Sequence, residues 1–468
     1  MPNDDLCYTP ATELAALIRD RAISPVELMD AVLSRIERVN PVLNAFVDTD
    51  FDRARDAAKA AEATVMRNGS PGPLHGIPVT IKDLAPAEGL KFCAGSHVFA
   101  DRIATQDAPM VARLKAAGAI VTGKTTTPEF GWKAIGQSPL TGDTRNPWNR
   151  DHTTGGSSAG ASAAAAAGLG PLHQGGDGAG SIRVPASFCG VFGMKSSFGR
   201  VPAVPLANSD STAASGPITR TVADAALMLA VMAGPHPMDN TSLESAPEDY
   251  PGRLRDGLAG LRIGWSPDLG RLRVDPEIAA LCESAAQRFA GLGAMLEAPV
   301  INLPDPTETI RVMWSAHEGG NYGSRLPQWR DRMDPGLVAC IEQGLAWSAT
   351  DYIRQRKQKL DYNNAVARFF TDYDLLLTPT VSVAALPVGR LNPEGWPQHE
   401  WDWFPWAGFS YPFNFSGNPA ATVPVGFTTA GLPVGLQIVG RRFADLTVLQ
   451  AAAAFEAVQP WADAKPDL

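Results

Sequence analysis

Residues 153–160 read TTGGSSAG and residues 176–183 read GDGAGSIR, two glycine- and serine-rich runs separated by an alanine-rich block. The block, 159–169, predicts a short helix with a glycine-rich turn on either side. Clustered glycines mark backbone that must turn sharply or approach a ligand closely. This stretch therefore predicts a site built from backbone turns rather than a plain structural segment.

Outward from this stretch, the pattern alternates between helices and strands. Ser24 and Pro25 supply an N-cap and a first helical residue for an amphipathic helix that extends to Val39. Residues 76–83, GIPVTIKD, predict a buried strand that ends in charges. Further strands are predicted at 119–124, 261–265, 375–379, 421–425 and 434–439, and further helices at 12–18, 111–117, 220–234, 276–292, 335–370 and 445–457. The alternation predicts an α/β fold in one large domain, with a helical insertion at 236–410.

Composition excludes several classes of protein. The chain has 468 residues, 45% of them hydrophobic and 19% charged, which allows a large core and excludes general disorder. Its formal net charge of −9 argues against a nucleic-acid or anionic-membrane partner. The five cysteines are scattered without a C-x-x-C pattern, which disfavours disulfides and zinc. Residues 1–10 lack the features of a signal peptide, so we expect a cytoplasmic protein.

The common catalytic motifs are mostly absent. The sequence has no H-E-x-x-H, no phosphate-binding glycine loop and no S-x-x-K, so we expect no metal and no cofactor. Residues 156–160 fit G-x-S-x-G, which would make Ser158 the nucleophile of an α/β-hydrolase elbow. That elbow requires a buried strand directly before it, whereas residues 149–154, NRDHTT, are polar. This interpretation is therefore the weaker one.

Several ordered motifs together resemble the amidase signature family of serine amidohydrolases. They are residues 76–83, 154–160, 176–186, 187–195 (SFCGVFGMK), 216–225 (GPITRTVADA) and 431–439 (GLPVGLQIV). The resemblance implies a mixed central β-sheet covered by helices on both faces. It divides the single domain 1–468 into N-terminal helices (1–65), a catalytic core (66–235), a variable helical and substrate region (236–410), and C-terminal core strands with a helix (411–468).

The resemblance also implies a Ser–cis-Ser–Lys triad. Lys82 would be the base, Ser157 the serine that follows a cis peptide bond and relays the proton, and Ser181 the nucleophile. A serine hydroxyl needs a base within hydrogen-bond reach, and a neutral lysine can serve. Holding Lys82 neutral requires burial that lowers its pKa by roughly three units.

Backbone N–H groups of Gly178, Ala179 and Gly180 would form the oxyanion hole. The family usually has glycine where this chain has Ala179, which is compatible only with a negative φ. The supporting residues would be Thr154, Ser158, Asp177 and Arg183, where Asp177 and Arg183 are expected to form a buried ion pair that orients the loop and Ser158 to donate a hydrogen bond.

The substrate pocket is expected to be aromatic. Trp401, Trp403 and Trp406 lie in a segment, 396–415, that holds nine aromatic residues, and Phe413 and Phe415 in the same segment are expected to be core. By resemblance, this segment contributes to the acyl side of the pocket. The further residues that the resemblance places along the cleft are Phe130, Gly131 and Trp132. Such a lining favours an aryl or alkyl amide, an anilide or a carbamate over glutamine.

Two other functions stay open at this stage. The first is that of a glutaminase-type A subunit in a glutamyl-tRNA amidotransferase, which works inside a complex, and the second is a non-catalytic scaffold. If the chain is an amidase, we expect its partner to be a small-molecule amide. Esterase or urethanase side activity and a homodimer are further expectations. The sequence does not choose among amide, carbamate and ester.

Overall fold

The computed structural model describes residues 4–67, 72–205 and 212–468. The helices are α1 (Asp4–Tyr8), α2 (Ala11–Arg19), α3 (Pro25–Leu43), α4 (Phe51–Met66), α5 (Pro109–Ala116), α6 (Ala159–Ala166), α7 (Arg183–Cys189), α8 (Val222–Met232), α9 (Pro276–Gln287), α10 (Thr307–Tyr322), α11 (Leu326–Trp329), α12 (Pro335–Leu345), α13 (Ala349–Asp372), α14 (Pro412–Phe415) and α15 (Asp445–Val458). Short 3₁₀ helices lie at His97–Phe99, Glu129–Gly131, Arg288–Leu292, Gly323–Arg325, Arg330–Arg332 and Phe404–Ala407.

The strands are β1 (Phe46–Thr49), β2 (Pro78–Lys82), β3 (Ile120–Thr125), β4 (Gln137–Ser138), β5 (Gly142–Asp143), β6 (Leu172–Asp177), β7 (Phe192–Lys195), β8 (Ala214–Thr219), β9 (Arg262–Trp265), β10 (Met295–Glu297), β11 (Leu375–Pro379), β12 (Ala420–Phe427) and β13 (Pro433–Gly440). Eleven of these strands form one sheet in the order β1-β3-β2-β6-β8-β7-β12-β13-β11-β9-β10. β2 pairs in parallel with β3 and β6, whereas β6 and β8 are antiparallel, so the sheet is mixed.

The single-domain α/β prediction is confirmed by this sheet. The region 236–410 supplies β9, β10 and β11 to it, so the expected helical insertion is built into the domain core rather than attached to it. Of the expected N-terminal helical segment, residues 1–3 lie outside the described residues. Within the described ranges, no helix combines the length and the apolar character needed to cross a membrane.

Helices cover both faces of the sheet, as expected. Alternate side chains of a strand point to opposite faces, and in β11 Leu375 and Leu377 belong to one apolar cluster while Leu376 belongs to another. The first cluster contains residues of α2, α3, α8 and α15, and the second contains residues of α10, α12 and α13. The two clusters therefore form the cores on the two faces.

Local sequence signals set several element boundaries correctly. Ser24 Oγ accepts a hydrogen bond from Val26 N at the start of α3, and Pro25 occupies its first turn. β6 was not predicted, although it lies in the middle of the sheet between β2 and β8. Its sequence LHQGGD contains two glycines and reads as a loop, but pairing on both sides overrides this weak strand propensity.

The pairing of β2 with β6 positions the site. The two strands are parallel, with Thr80 opposite His173 and Ile81 opposite Gln174. Parallel strands bring their carboxyl ends to the same edge of the sheet, where α/β proteins commonly bind ligands. Lys82 at the end of β2 and Asp177 at the end of β6 are therefore neighbours at this edge.

Candidate active site

Lys82 is the last residue of β2 and is only 1% exposed. Its backbone N–H donates to Gln174 Oε1 at 3.1 Å, which ties the end of β2 to β6. Its Nζ donates to Ser157 Oγ at 2.8 Å, to Ser158 Oγ at 3.0 Å and to the Gly176 carbonyl at 3.2 Å. A neutral amine can equally accept the proton of a serine hydroxyl. The structure therefore brings the expected base and relay serine together.

The glycine-rich turns place both serines of residues 157–158 beside the strand end. The Gly156–Ser157 peptide bond is cis, as the resemblance implied. Ser158 stands at the N-cap of α6, where its backbone N–H donates to the Ser181 carbonyl at 3.0 Å. Its Oγ donates to the Gly176 carbonyl at 3.1 Å, so Ser158 links the Lys82 amine to the β6 backbone.

Ser181 lies in the turn before α7 and is 5% exposed. It lines the same cavity as Lys82 and Ser157. In the described part of the chain, its Oγ finds no hydrogen-bond partner, so this hydroxyl is free to approach a ligand.

Burial lowers the pKa of Lys82 to about 7, although the negative charge of Asp177 opposes this shift. Burial also lowers the pKa of Lys124 to about 8 and that of Lys195 to about 7. Those two amines donate to backbone carbonyls, Lys124 to Ala85 and Lys195 to Ser196. The pKa is lowered for all three lysines, but of the three only Lys82 contacts serine hydroxyls. Its position, and not its pKa alone, therefore makes it the candidate base.

Asp177 and Arg183 form the expected ion pair, with Arg183 Nε 3.0 Å from Asp177 Oδ2 and both side chains fully buried. Burial by itself would raise the pKa of Asp177, but the charge and hydrogen bonds of Arg183, with further help from Lys195 and Asn414, lower it well below its usual range. Arg183 also donates to Gln437 Oε1 and Asn414 Oδ1. Through these hydrogen bonds, the ion pair anchors the Ser181 turn on β13 and α14.

The residues of the 178–180 turn differ from one another in their backbone conformation and contacts. Ala179 does not adopt a positive φ, so its methyl group is accommodated, and its carbonyl accepts from Ser410 Oγ at 2.8 Å. Gly180 has φ +119°, and a Cβ there would collide with Ser410. Its N–H already donates to Asp177 Oδ1 at 2.7 Å. The N–H groups of Gly178, Ala179 and Ser181 make no hydrogen bond to the described residues.

Thr154 is buried behind the serines rather than in the cavity. Its Oγ1 donates to the Gly155 carbonyl at 3.0 Å, while the neighbouring Thr153 Oγ1 accepts from the Gly155 N–H at 3.1 Å. These two hydroxyls hold the turn that precedes Ser157. Thr154 is therefore a supporting residue of the turn.

The three catalytic candidates open into a cavity of about 160 Å³. An apolar cavity of about 150 Å³ is large enough to bind benzene. Phe130 and Gly131 line it, as expected. Gly131 has φ +79°, and a Cβ there would lie 2.7 Å from Leu84 and 3.2 Å from Ser157 Oγ, so a side chain would crowd the relay serine.

The expected tryptophan lining is wrong for this cavity. Its lining, among the described residues, does not include Trp132, Trp401, Trp403 or Trp406. All four are buried in the apolar cluster around α10 and α12. Hydrogen bonds fix two of these indoles, since Trp403 Nε1 donates to the Trp132 carbonyl at 3.1 Å and Trp406 Nε1 to the Leu391 carbonyl at 3.0 Å. An aromatic, loop-like segment was packed as core because its rings contact one another.

Phe415 is buried in the same apolar cluster, as expected of a core residue, and it also lines the cavity. Seven further lining residues come from α10, which the sequence pattern missed altogether. The α10 residues that line the cavity are Ile310, Met313, Trp314, His317, Glu318, Asn321 and Tyr322.

The α10 segment was missed because of its glycines. Gly319 and Gly320 disfavour a helix when read locally, but a Cβ at Gly319 would lie 3.0 Å from the backbone of Gly344 in α12. The glycine therefore permits close helix packing. A start signal was present, since Asp305 and Pro306 precede the helix and Asp305 Oδ1 accepts from Thr307 N at 3.0 Å.

All five cysteines are unpaired and buried. Across the ranges that the structure describes, no group of three or more histidine, cysteine, aspartate or glutamate side chains is arranged to hold a metal ion. His173, a candidate ligand type at the sheet centre, is instead a core residue whose Nδ1 lies 2.8 Å from Thr80 Oγ1.

Comparison with known proteins identifies the family of the chain. The sequence profile of the Amidase family matches residues 27–449. The chain is 42% identical to an acylamidase of Rhodococcus erythropolis, across 100% of this chain and 98% of that protein. It is 35% identical to the A subunit of the glutamyl-tRNA(Gln) amidotransferase of Moorella thermoacetica, across 99% of both chains.

The fold comparison points the same way. The crystal structure of a bacterial aryl acylamidase of the amidase signature family superposes with a TM-score of 0.90 at 31% identity, covering 97% of each chain. The profile match spans most of the chain, and the relatives are aligned over nearly their full lengths. The chain therefore belongs to the amidase signature family and is an amidase, a hydrolase acting on C–N bonds.

Proposed function

We propose that this chain hydrolyses the C–N bond of a small hydrophobic amide, such as an aryl or alkyl amide, an anilide or a carbamate, through an acyl-enzyme on Ser181. The observation that carries the proposal is the contact of the buried Lys82 amine with Ser157 Oγ, 2.8 Å away, beside the free hydroxyl of Ser181. A strongly shifted titratable group beside nucleophilic serines in a cavity is a typical arrangement for catalysis.

In the proposed acylation step, Ser181 Oγ attacks the carbonyl carbon of the substrate. Its proton passes to Ser157 Oγ as the Ser157 proton passes to the neutral Lys82 amine. The carbonyl oxygen becomes an oxyanion, for which the unpaired N–H groups of Gly178, Ala179 and Ser181 are the available donors. Gly180, expected to be a donor, instead holds the turn through Asp177.

Collapse of the tetrahedral intermediate breaks the C–N bond. The leaving nitrogen takes a proton from the Lys82 ammonium by the reverse relay through Ser157 and departs as an amine. Water then attacks the acyl-enzyme with the same base, which releases the acid and restores the Ser181 hydroxyl. A pKa of about 7 for Lys82 suits this double duty, because both the proton-accepting and the proton-donating forms are populated near neutral pH.

The cavity lining supports a hydrophobic substrate. Met313, Phe130 and Phe415 contribute apolar walls, and the volume matches a single aromatic ring. The relatives add support, since the name acylamidase describes an amide substrate and the name aryl acylamidase an aryl one. Hydrolysis of esters or urethanes by the same acyl-enzyme is a further part of the proposal.

The glutaminase function of an amidotransferase remains the second candidate because of the 35% identical Moorella relative. It predicts activity towards glutamine and dependence on partner proteins. A purified chain that releases aniline from simple anilides by itself, with kcat/KM well above that for glutamine, supports the amidase proposal. Activity that appears only with glutamine and a partner complex would overturn it. A non-catalytic scaffold would be inactive with every amide.

Two expectations stay predictions. A homodimer is implied by the family resemblance and is checked by sedimentation equilibrium of the purified chain. A cytoplasmic location is checked by fractionation of the producing cells.

A further inference from the structure

Glu318 is a buried carboxyl group on the cavity wall that the proposed mechanism does not use. It lies on α10, lines the cavity and is 7% exposed. Its Oε2 is buried and finds no hydrogen-bond partner in the described part of the chain. A buried polar atom left without a partner is rare and unfavourable in native proteins. This oxygen is shielded as the side chain stands, but Glu318 lines the cavity, so a turn of its carboxyl group towards the cavity would give the oxygen a ligand as its partner.

The neighbouring carboxylate, Glu129, is not free in the same way. Its Oε1 accepts from Ser96 Oγ at 2.6 Å, and its Oε2 accepts from the Asp334 N–H at 2.6 Å. Glu129 thus serves the protein framework, whereas Glu318 has spare hydrogen-bonding capacity. The two lie close enough that the charge of Glu129 influences the pKa of Glu318.

The pKa of Glu318 is raised to about 8, mainly by burial and to a lesser extent by the negative charge of Glu129. The other titratable groups that face it are Tyr322 on α10 itself and Cys340 on α12, and burial raises the pKa of both, so both stay uncharged near neutral pH. On α13, Tyr352 packs against His317 instead. A neutral carboxyl can donate one hydrogen bond from its O–H.

Aromatic rings also line the cavity. The rings of Phe130 and Tyr322 stack with centroids 3.8 Å apart, and Phe130 keeps this position with a φ of +53°, unusual for a bulky residue. Together with His317 and Asn321, Glu318 places polar groups among apolar side chains, an arrangement that fixes the orientation of a ligand.

We propose that Glu318 binds the substrate by donating a hydrogen bond from its neutral carboxyl group to an uncharged oxygen acceptor remote from the scissile amide. The preferred substrates are then hydrophobic amides that carry a second uncharged oxygen, as in a ketone, ether, ester, carbamate or second amide. This inference rests on the proposed function and narrows it.

The test compares matched anilides that differ in one substituent. One carries an acetyl group on the ring and the other an isopropyl group of similar shape in the same position, and a second pair places these groups on the acyl side. The selectivity is the ratio of kcat/KM for the acetyl and isopropyl members. The substituents also differ in their electronic effect on the chemical step, but this effect is the same in every variant and cancels when the ratio is compared between variants.

We expect the wild-type ratio for one of these pairs to be about tenfold higher than that of Glu318→Leu. Glu318→Gln keeps a donor and should retain most of the preference. Glu456→Gln is the matched control, because Glu456 is another carboxyl group whose pKa burial raises, to about 7, but it lies on α15 and accepts from Val222 N–H. The control should keep the wild-type ratio.

The pH dependence separates a binding role from a structural one. The wild-type ratio should fall as pH rises through about 8, because the ionised carboxylate cannot donate. In Glu318→Gln the ratio should not change with pH. A ratio that is equal in wild type and Glu318→Leu for both pairs, at every pH, overturns the inference.

Failure of the proposed function can be told apart from failure of this inference. If the wild type hydrolyses none of these anilides, the proposed function fails, and the affinity of the protein for the anilides is then measured instead of their turnover. Calorimetric titration of Ser181→Ala with the same anilides should then show about tenfold tighter binding of an acetyl member, and this advantage should vanish in the double variant with Glu318→Leu. Equal affinities in both proteins would overturn the inference.

Discussion

The two walls of the cavity are built differently. On the wall formed by the ends of β2 and β6, hydrogen bonds and an ion pair fix the charged side chains, since the Lys82 amine contacts two serine hydroxyls and Arg183 pairs with Asp177. The α10 wall combines apolar side chains with several polar ones, among them the carboxyl of Glu318, whose Oε2 has no hydrogen-bond partner among the described residues. The first wall is preorganised for one chemical step, whereas the second presents an apolar surface with a few polar groups. Changes in the first wall should therefore affect all substrates, and changes in the second should affect the choice among them.

The largest effect is expected for Ser181→Ala. Without the nucleophile, turnover of every amide should fall by at least about four orders of magnitude, as for other serine hydrolases whose nucleophile is removed. The fold should persist, because the Ser181 hydroxyl makes no hydrogen bond to the described residues. Turnover is measured by amine release and folding by circular dichroism. Substantial residual activity would show that another group attacks.

Lys82 should give the next largest effect, together with a pH signature. Because the amine must be neutral to accept a proton, kcat/KM should rise with pH through the Lys82 pKa of about 7 and level off above it. Lys82→Ala should lose about 10²–10⁴-fold in kcat/KM. Rates are measured between pH 5 and 9 for both proteins. A flat profile in the wild type would remove Lys82 from its role as base.

On the α10 wall, Tyr322→Ala should change selectivity instead of chemistry. The stacking of Tyr322 on Phe130 shapes an apolar surface, and burying a phenyl-sized group contributes roughly 2–3 kcal/mol, or about 30- to 150-fold. The preference for an anilide over acetamide should shrink by up to that factor, while acetamide turnover changes little. Equal losses for both substrates would mean that the two walls are not functionally separate.

The tryptophans behind this wall should show the smallest effect on selectivity. Trp406→Ala should lower the free energy of unfolding by about 3–5 kcal/mol, since a buried indole stacked on Phe188 is lost. The anilide-to-acetamide ratio should stay close to the wild-type value. Denaturant unfolding and kinetics on the same preparation check both points, and Trp406→Phe provides a milder variant. A strong fall of the anilide-to-acetamide ratio in Trp406→Phe would mean that the tryptophan segment does line the pocket.

The same contrast explains how much could be predicted from the sequence. The candidates Lys82, Ser157 and Ser181 followed from the family resemblance, because each lies in a short motif of the family pattern. The parallel pairing of β2 with β6 brings Lys82 close to the motif that contains Ser181. The role of Gly180 was harder to predict, since only the folded turn shows that its N–H donates to Asp177.

The α10 wall could not be predicted in this way. Glu318 stands next to two glycines in a segment without strong helical periodicity, and it reaches the cavity through packing of α10 on α12. The tryptophans of 401–406 gave a misleading signal, because an aromatic cluster can line a pocket or fill a core equally well. Which occurs depends on contacts between residues hundreds of positions apart, such as Trp403 with Trp132.

The most direct test of the account is to map the site of covalent modification. The enzyme is treated with an aryl sulfonyl fluoride, which sulfonylates activated serine hydroxyls, and digested for peptide mass spectrometry. We expect the label on Ser181, with labelling that accelerates as pH rises through about 7 and is lost in Lys82→Ala. A label on Ser158 with Ser181 unmodified would contradict the triad and establish the nucleophile-elbow interpretation instead.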